Sequence, residues 1–192
     1  MTRLYGEPME MPDDMFGGYD KWPPDEITYD EMDLLIHVEC VFETSKGKFK
    51  VRLFPDHSPI HSANLVRLIQ DGYYDGLPFF QVEAGVIAMT GRGENFLNYT
   101  LKREKTFLHT DGSVGMDAAK EEKTKESSPS IIYFCLAEEP CRKFDMKRNV
   151  FGRVVRGREV VAALKGPDGE NAGDFIIRTY AHIPYKSPAF DD

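Results

Sequence analysis

Pro78-Phe-Phe-Gln-Val-Glu-Ala-Gly-Val-Ile-Ala-Met-Thr-Gly91 is the stretch that decides how this chain folds. It opens on proline and closes on glycine, and Val82–Met89 within it predicts a short strand. Upstream, Ile36, Val38, Cys40 and Phe42 alternate with His37, Glu39, Val41 and Glu43, the period of a half-buried strand. Phe49, Val51 and Leu53 alternate with Lys48, Lys50 and Arg52 in the same way. Ser45-Lys-Gly-Lys48 between them supplies a hairpin turn, with Gly47 free to take positive φ. Ser58-Pro59 predicts an N-cap and first helical residue, the stripe Ala63, Val66, Ile69 follows, and Gly72 ends the helix. Downstream, Ser130–Leu136 and Asn149–Val155 predict strands. Arg158–Leu164 predicts a second helix between Gly157 and Gly166-Pro167, and Phe175–Tyr180 predicts a closing strand. Many strands and two helices point to a mainly β chain, a closed barrel capped by helices.

Charge is unevenly spread. Residues 1–33 hold ten acidic side chains against Arg3 and Lys21, which accounts for the whole net charge of −8. The remainder is balanced, so nothing favours nucleic acid as a partner. No apolar run reaches the roughly 20 residues of a membrane helix, and the acidic start lacks the features of a signal peptide. A cytoplasmic protein is expected, with nuclear or cytoskeletal association open. Cys40, Cys135 and Cys141 have no metal spacing and are expected as reduced thiols. The histidines are scattered, and each is expected to face solvent or bond locally. No hydrolase elbow, phosphate loop, metal set or cofactor motif stands out.

Three units follow: an irregular extension over 1–33, a barrel domain over 34–185 and a short tail over 186–192. The extension carries Tyr5, Phe16, Tyr19, Trp22 and Tyr29 among its acids, with five of the chain's eight methionines. Such anchors suit a segment lying on a surface. That surface is either the chain's own barrel or a partner, the latter making 1–33 a dock onto a larger assembly. Asp117–Ser130 is expected as a solvated, mixed-charge loop.

Several of these landmarks, in this order, resemble the cyclophilin-type prolyl cis–trans isomerases. They are Phe42-Glu-Thr-Ser-Lys-Gly47, Leu53-Phe-Pro-Asp-His-Ser-Pro59, Gly72-Tyr-Tyr-Asp-Gly76, Pro78-Phe-Phe80, His109-Thr-Asp-Gly-Ser-Val-Gly-Met116 and Asn149-Val-Phe-Gly-Arg-Val154 with Gly157. The resemblance covers about residues 36–183 and implies a closed, antiparallel, eight-stranded barrel that binds proline-containing peptides or proteins. It also implies an arginine aimed at the prolyl nitrogen, which weakens the double-bond character behind a barrier of about 18–20 kcal/mol. Gln81 stands in that arginine's place. Other groove positions of the family fall on Phe80, Val86, Ile87, Met89, Asp117, Ala118, Ile132, Tyr133 and Phe144, and its distal histidine falls on Arg148. Two outcomes follow from the resemblance. Either the groove binds with little or no catalysis, or Arg148 replaces the missing arginine and the chain is an active isomerase.

Overall fold

The computed structural model describes residues 11–12, 15–92, 96–119 and 125–184. Nine strands form one curled antiparallel sheet: β1 Glu39–Thr44, β2 Gly47–Leu53, β3 Gln81–Glu83, β4 Ile87–Thr90, β5 Leu101–Lys102, β6 Ser113–Ala118, β7 Glu126–Cys135, β8 Asn149–Arg156 and β9 Ile176–His182. Eight run in the order β3-β4-β7-β6-β8-β2-β1-β9, and the two-residue β5 adds to β7. The expected closure is incomplete. End strands β3 and β9 do not pair along their length; an isolated Pro78–Phe175 bridge crosses the seam. On either side of that bridge Ile176 N–H donates to the Leu77 carbonyl at 2.8 Å and Phe79 N–H to the Asp174 carbonyl at 2.9 Å, but the contact stops short of β3, which is only three residues long.

The Val82–Met89 stretch is a hairpin and not one strand. Gly85 takes φ 72°, and Val86 N–H donates to the Glu83 carbonyl at 2.9 Å. Gln81 therefore lies directly opposite Met89. Asp117–Ser130 is also more ordered than expected, since β6 runs through Asp117–Ala118 and Ser127–Ser130 are buried in β7. The core lies inside the curl, with Phe42, Phe49, Phe79, Phe134 and Phe151 almost wholly excluded from water. Phe42 and Phe49 stack at 5.0 Å, and Phe134 meets both edge-on.

Helices α1 Tyr29–His37, α2 Pro59–Gln70, α3 Glu138–Cys141 and α4 Arg158–Ala162 complete the fold. α1 corrects both the irregular extension and the strand start at Ile36. Thr28 and Glu31 form a reciprocal capping box, the helix crosses the 33/34 boundary, and Ile36 is 42% exposed. α2 begins at Pro59 as expected, but the Ser58 side chain caps nothing, since its hydroxyl donates to the Lys105 carbonyl. The Glu104 carboxylate accepts from the Ile60 and His61 N–H groups instead, each at 2.9 Å.

Within the extension, Phe16 is 4% exposed and Met11 8%, both part of the core. Trp22 donates to Asn64 Oδ1 at 3.1 Å and lies under the Arg67 guanidinium at 4.4 Å. Tyr19 donates to Glu31, and burial with that neighbour raises its hydroxyl to about 12. Trp22 thus ties the extension to α2, Tyr19 ties it to α1, and Phe16 packs against Trp22, so the chain's own barrel is a surface on which these anchors lie. Tyr29 is 75% exposed, and Tyr5 lies outside the described residues.

Candidate functional site

One register row runs across four neighbouring strands: Gln81 opposite Met89, Met89 opposite Tyr133, Tyr133 opposite Gly115. At about 4.8 Å per strand, Gln81 and Tyr133 stand roughly 10 Å apart along the backbone. Around this row Ile87, Met89, Tyr133, Cys135 and Cys141 form a second apolar cluster, with Val86, Ile131 and Phe144 packed on it. The structure thus brings together Val86, Ile87, Met89, Tyr133 and Phe144 as expected. Ile132 is elsewhere: strand alternation turns it into the main core with Phe134, and Ile131 takes the groove side. Phe80 is 39% exposed and outside the cluster, and Ala118 pairs with Ser127 at the far end of β6.

Tyr133 lies flat across Gly115, where an added Cβ would meet its ring and hydroxyl at 2.2–2.3 Å. Only glycine leaves room for that ring. Its hydroxyl is 2.7 Å from His109 Nε2, while His109 Nδ1 is 2.7 Å from Asp145 Oδ1. Asp145 also accepts from the His109 main chain, so the ring proton sits on Nδ1 and Nε2 accepts from Tyr133. Burial holds His109 below its ordinary value, and Arg148 adds to this against the opposing pull of Asp145. Burial alone would raise the Asp145 carboxyl, but the His109 hydrogen bonds outweigh it and hold it low. Burial pushes the Tyr133 hydroxyl well up. Sequence reasoning missed this relay because Asp145 and His109 are 36 residues apart with no motif joining them.

Arg148 covers the site. Its guanidinium lies 4.1 Å from the Phe144 ring centroid and 5.7 Å from that of Tyr133. Its Nη1 is 2.8 Å from Asp117 Oδ1. A ligand entering over Tyr133 has to lift that guanidinium away.

Cys135 and Cys141 are joined as a disulfide, correcting the expected reduced pair; the fold brings their Cα atoms to 6.2 Å, within bridging range. Cys40 remains a free, buried thiol. Among the described residues no His/Cys/Asp/Glu group is arranged to hold a metal ion. Ser127, His61 and Glu104 form a chain at 3.0 and 2.5 Å, but Ser127 is 1% exposed and His61 not at all. His61 is thus neither solvent-facing nor bonded within its own segment, since Glu104 and Ser127 lie 43 and 66 residues away in the sequence.

Residues 40–180 match the family model described as cyclophilin type peptidyl-prolyl cis-trans isomerase/CLD. The chain belongs to the cyclophilin-type family. Peptidyl-prolyl cis-trans isomerase CYP18-2 of Arabidopsis thaliana is 33% identical over 142 residues, 69% of this chain and 84% of that protein. Peptidyl-prolyl cis-trans isomerase-like 1 of Aspergillus fumigatus is 32% identical over 136 residues, 66% and 81% of the two chains. Among solved structures, cyclophilin AquaCyp293 of Hirschia baltica superposes with a TM-score of 0.62 at 17% identity, covering 80% of each chain. A cyclophilin-type isomerase of Cryptosporidium parvum, crystallised in the presence of the dipeptide Ala-Pro, gives 0.60 at 16% identity, covering 77% of this chain and 99% of that one. These likenesses show the cyclophilin fold.

Proposed function

We propose that this cyclophilin-type protein binds proline-containing segments of other proteins with weak or no isomerase activity. The observation that carries this is Gln81, exposed on β3 opposite Met89 where the resemblance places the family's arginine. Its amide can donate a hydrogen bond to a prolyl nitrogen, but without the charge that roughly doubles such a bond's strength. Losing one preorganised donor costs about 3–4 kcal/mol in the transition state, or about 10²–10³ in rate. Arg148 is already committed to Asp117 and Phe144. With Arg148 lifted off Tyr133, the apolar cluster of Val86, Ile87, Met89, Tyr133 and Phe144 would receive a proline ring, and a structural neighbour was crystallised in the presence of Ala-Pro.

Arg148 also supports a second possibility, an active isomerase, because its guanidinium lies over the ring at the centre of the site. Exchange NMR on a short Xaa-Pro peptide separates the two. Under the proposal, wild type shows little or no catalysed exchange and Gln81→Arg gains it. Exchange by wild type that disappears in Arg148→Ala assigns the electrophile to Arg148 and overturns the proposal.

A further inference from the structure

One wall of the groove is strongly basic. Arg142-Lys143-Phe144-Asp145-Met146-Lys147-Arg148 contains four cations and one acid. Asp145 is taken up by His109, and Arg142 pairs with Glu138 and Glu139. Lys143 and Arg148 both approach the Phe144 ring, at 5.1 and 4.1 Å from its centroid. Beyond Arg148 the surface opens into a recess of about 410 Å³ lined by Arg103, Glu104, Lys105, Met146, Arg148 and Asn149, among others. Glu104 contributes one negative charge there, but its carboxylate oxygens bond the start of α2 and His61 rather than Arg103 or Lys105. Arg103, Lys105, Lys143 and Lys147 have no carboxylate partner among the described residues. Met146, 75% exposed, gives the recess an apolar lip.

Resting on the peptide-binding reading above, we propose that the groove selects proline-containing peptides that carry carboxylates beside the proline. A ligand carboxylate takes the place of Asp117 on Arg148, and a second lies in the recess with Arg103 and Lys105. Asp117 already demonstrates the geometry: a carboxylate at 2.8 Å from a guanidinium that is stacked on an aromatic ring. The acidic extension reaches this side of the molecule through Asp25, whose carboxylate lies 3.1 Å from Lys102 and pairs with it rather than with Arg103 or Lys105.

Fluorescence polarisation of the full chain tests the proposal with labelled Asp-Glu-Ala-Pro-Asp-Glu and its amide counterpart Asn-Gln-Ala-Pro-Asn-Gln. The acidic peptide is expected to bind about fivefold tighter or more at low salt, the scale of two or three exposed ion pairs. The gap should narrow at high salt and in the double variant Arg103→Gln, Lys105→Gln. A far-ultraviolet circular-dichroism spectrum and melting temperature equal to wild type show that the variant is folded. Equal binding of the two peptides overturns the acidic preference and leaves peptide binding standing. A preference unchanged in the double variant overturns the recess. If neither peptide binds wild type, the peptide-binding reading falls, and this proposal with it.

Discussion

Tyr133 is held from below by His109 and from above by Phe144 and Arg148, so its setting depends on the protonation state of one histidine. The folded pKa of His109 lies below the ordinary 6.5, so the unfolded chain takes up this proton first. Its contribution to stability is complete above that ordinary value and is lost as pH falls toward the folded pKa. Protonation would also force Nε2 to donate where it now accepts. The melting temperature should therefore fall more steeply from about pH 7 to 5 in wild type than in His109→Gln. His182, also shifted down by burial, acts equally in both proteins and cancels in the comparison. Asp145, held low, loses its contribution only below the ordinary 3.8, outside that window. Parallel slopes in calorimetry would remove His109 from this role. At this scale the sequence was legible where apolar residues share one face, as Ile87, Met89 and Tyr133 do in a single cluster. It was silent on the Arg148–Asp117 and His109–Asp145 pairs, because their members meet only through tertiary structure.

Among the elements, the N-terminal strap was the hardest to read and is now the easiest to test. Its sequence reads as an irregular extension, with its aromatic residues as anchors on a surface. The deciding local signal was the Thr28–Glu31 capping box, which starts α1 and fixes where the chain enters the sheet. Ahead of it, Phe16 and Trp22 rings meet at 5.6 Å over the core. Phe16→Ala removes a buried ring, a change of about 3–5 kcal/mol when the surroundings stay put. If the strap lifts off before the barrel unfolds, the cost is capped by the strap's docking energy. Trp22 is the chain's single tryptophan, so its emission reports that event directly. Emission in Phe16→Ala should shift to the red at temperatures below the main melting transition. An unshifted spectrum would mean that Trp22 is held without Phe16. The Cys135–Cys141 bridge, closing a six-residue separation, ties α3 to the end of β7 and is worth about 2 kcal/mol on loop-closure entropy.

Across the whole molecule, alternation was legible in β2, which buries Phe49, Val51 and Leu53 between the more exposed Lys48, Lys50 and Arg52, while β8 and β9 were legible from their apolar content and flanking turns rather than from a clean period. The seam was not legible. A strand's period shows which face is buried but not which neighbour its edge finds, and here residues 76–79, ahead of β3, meet 174–176 across the seam while β3 itself does not. This has a measurable consequence in native-state hydrogen exchange. Amides of β1, β2, β6, β7 and β8, each paired on both edges, should open only with global unfolding. Amides of β3 and β5 should exchange through local openings, as they sit in short, exposed elements. β9 should divide, with the β1-facing amides slow. The Thr179 N–H on its other edge is also protected, by Asp75 at 2.7 Å, which does the work of a missing strand. Asp75→Asn should weaken that acceptor and raise exchange at Thr179 alone. Uniform protection of β3 and β9 would instead describe a barrel closed in solution, with the Gln81 strand pinned from both sides and a stiffer groove.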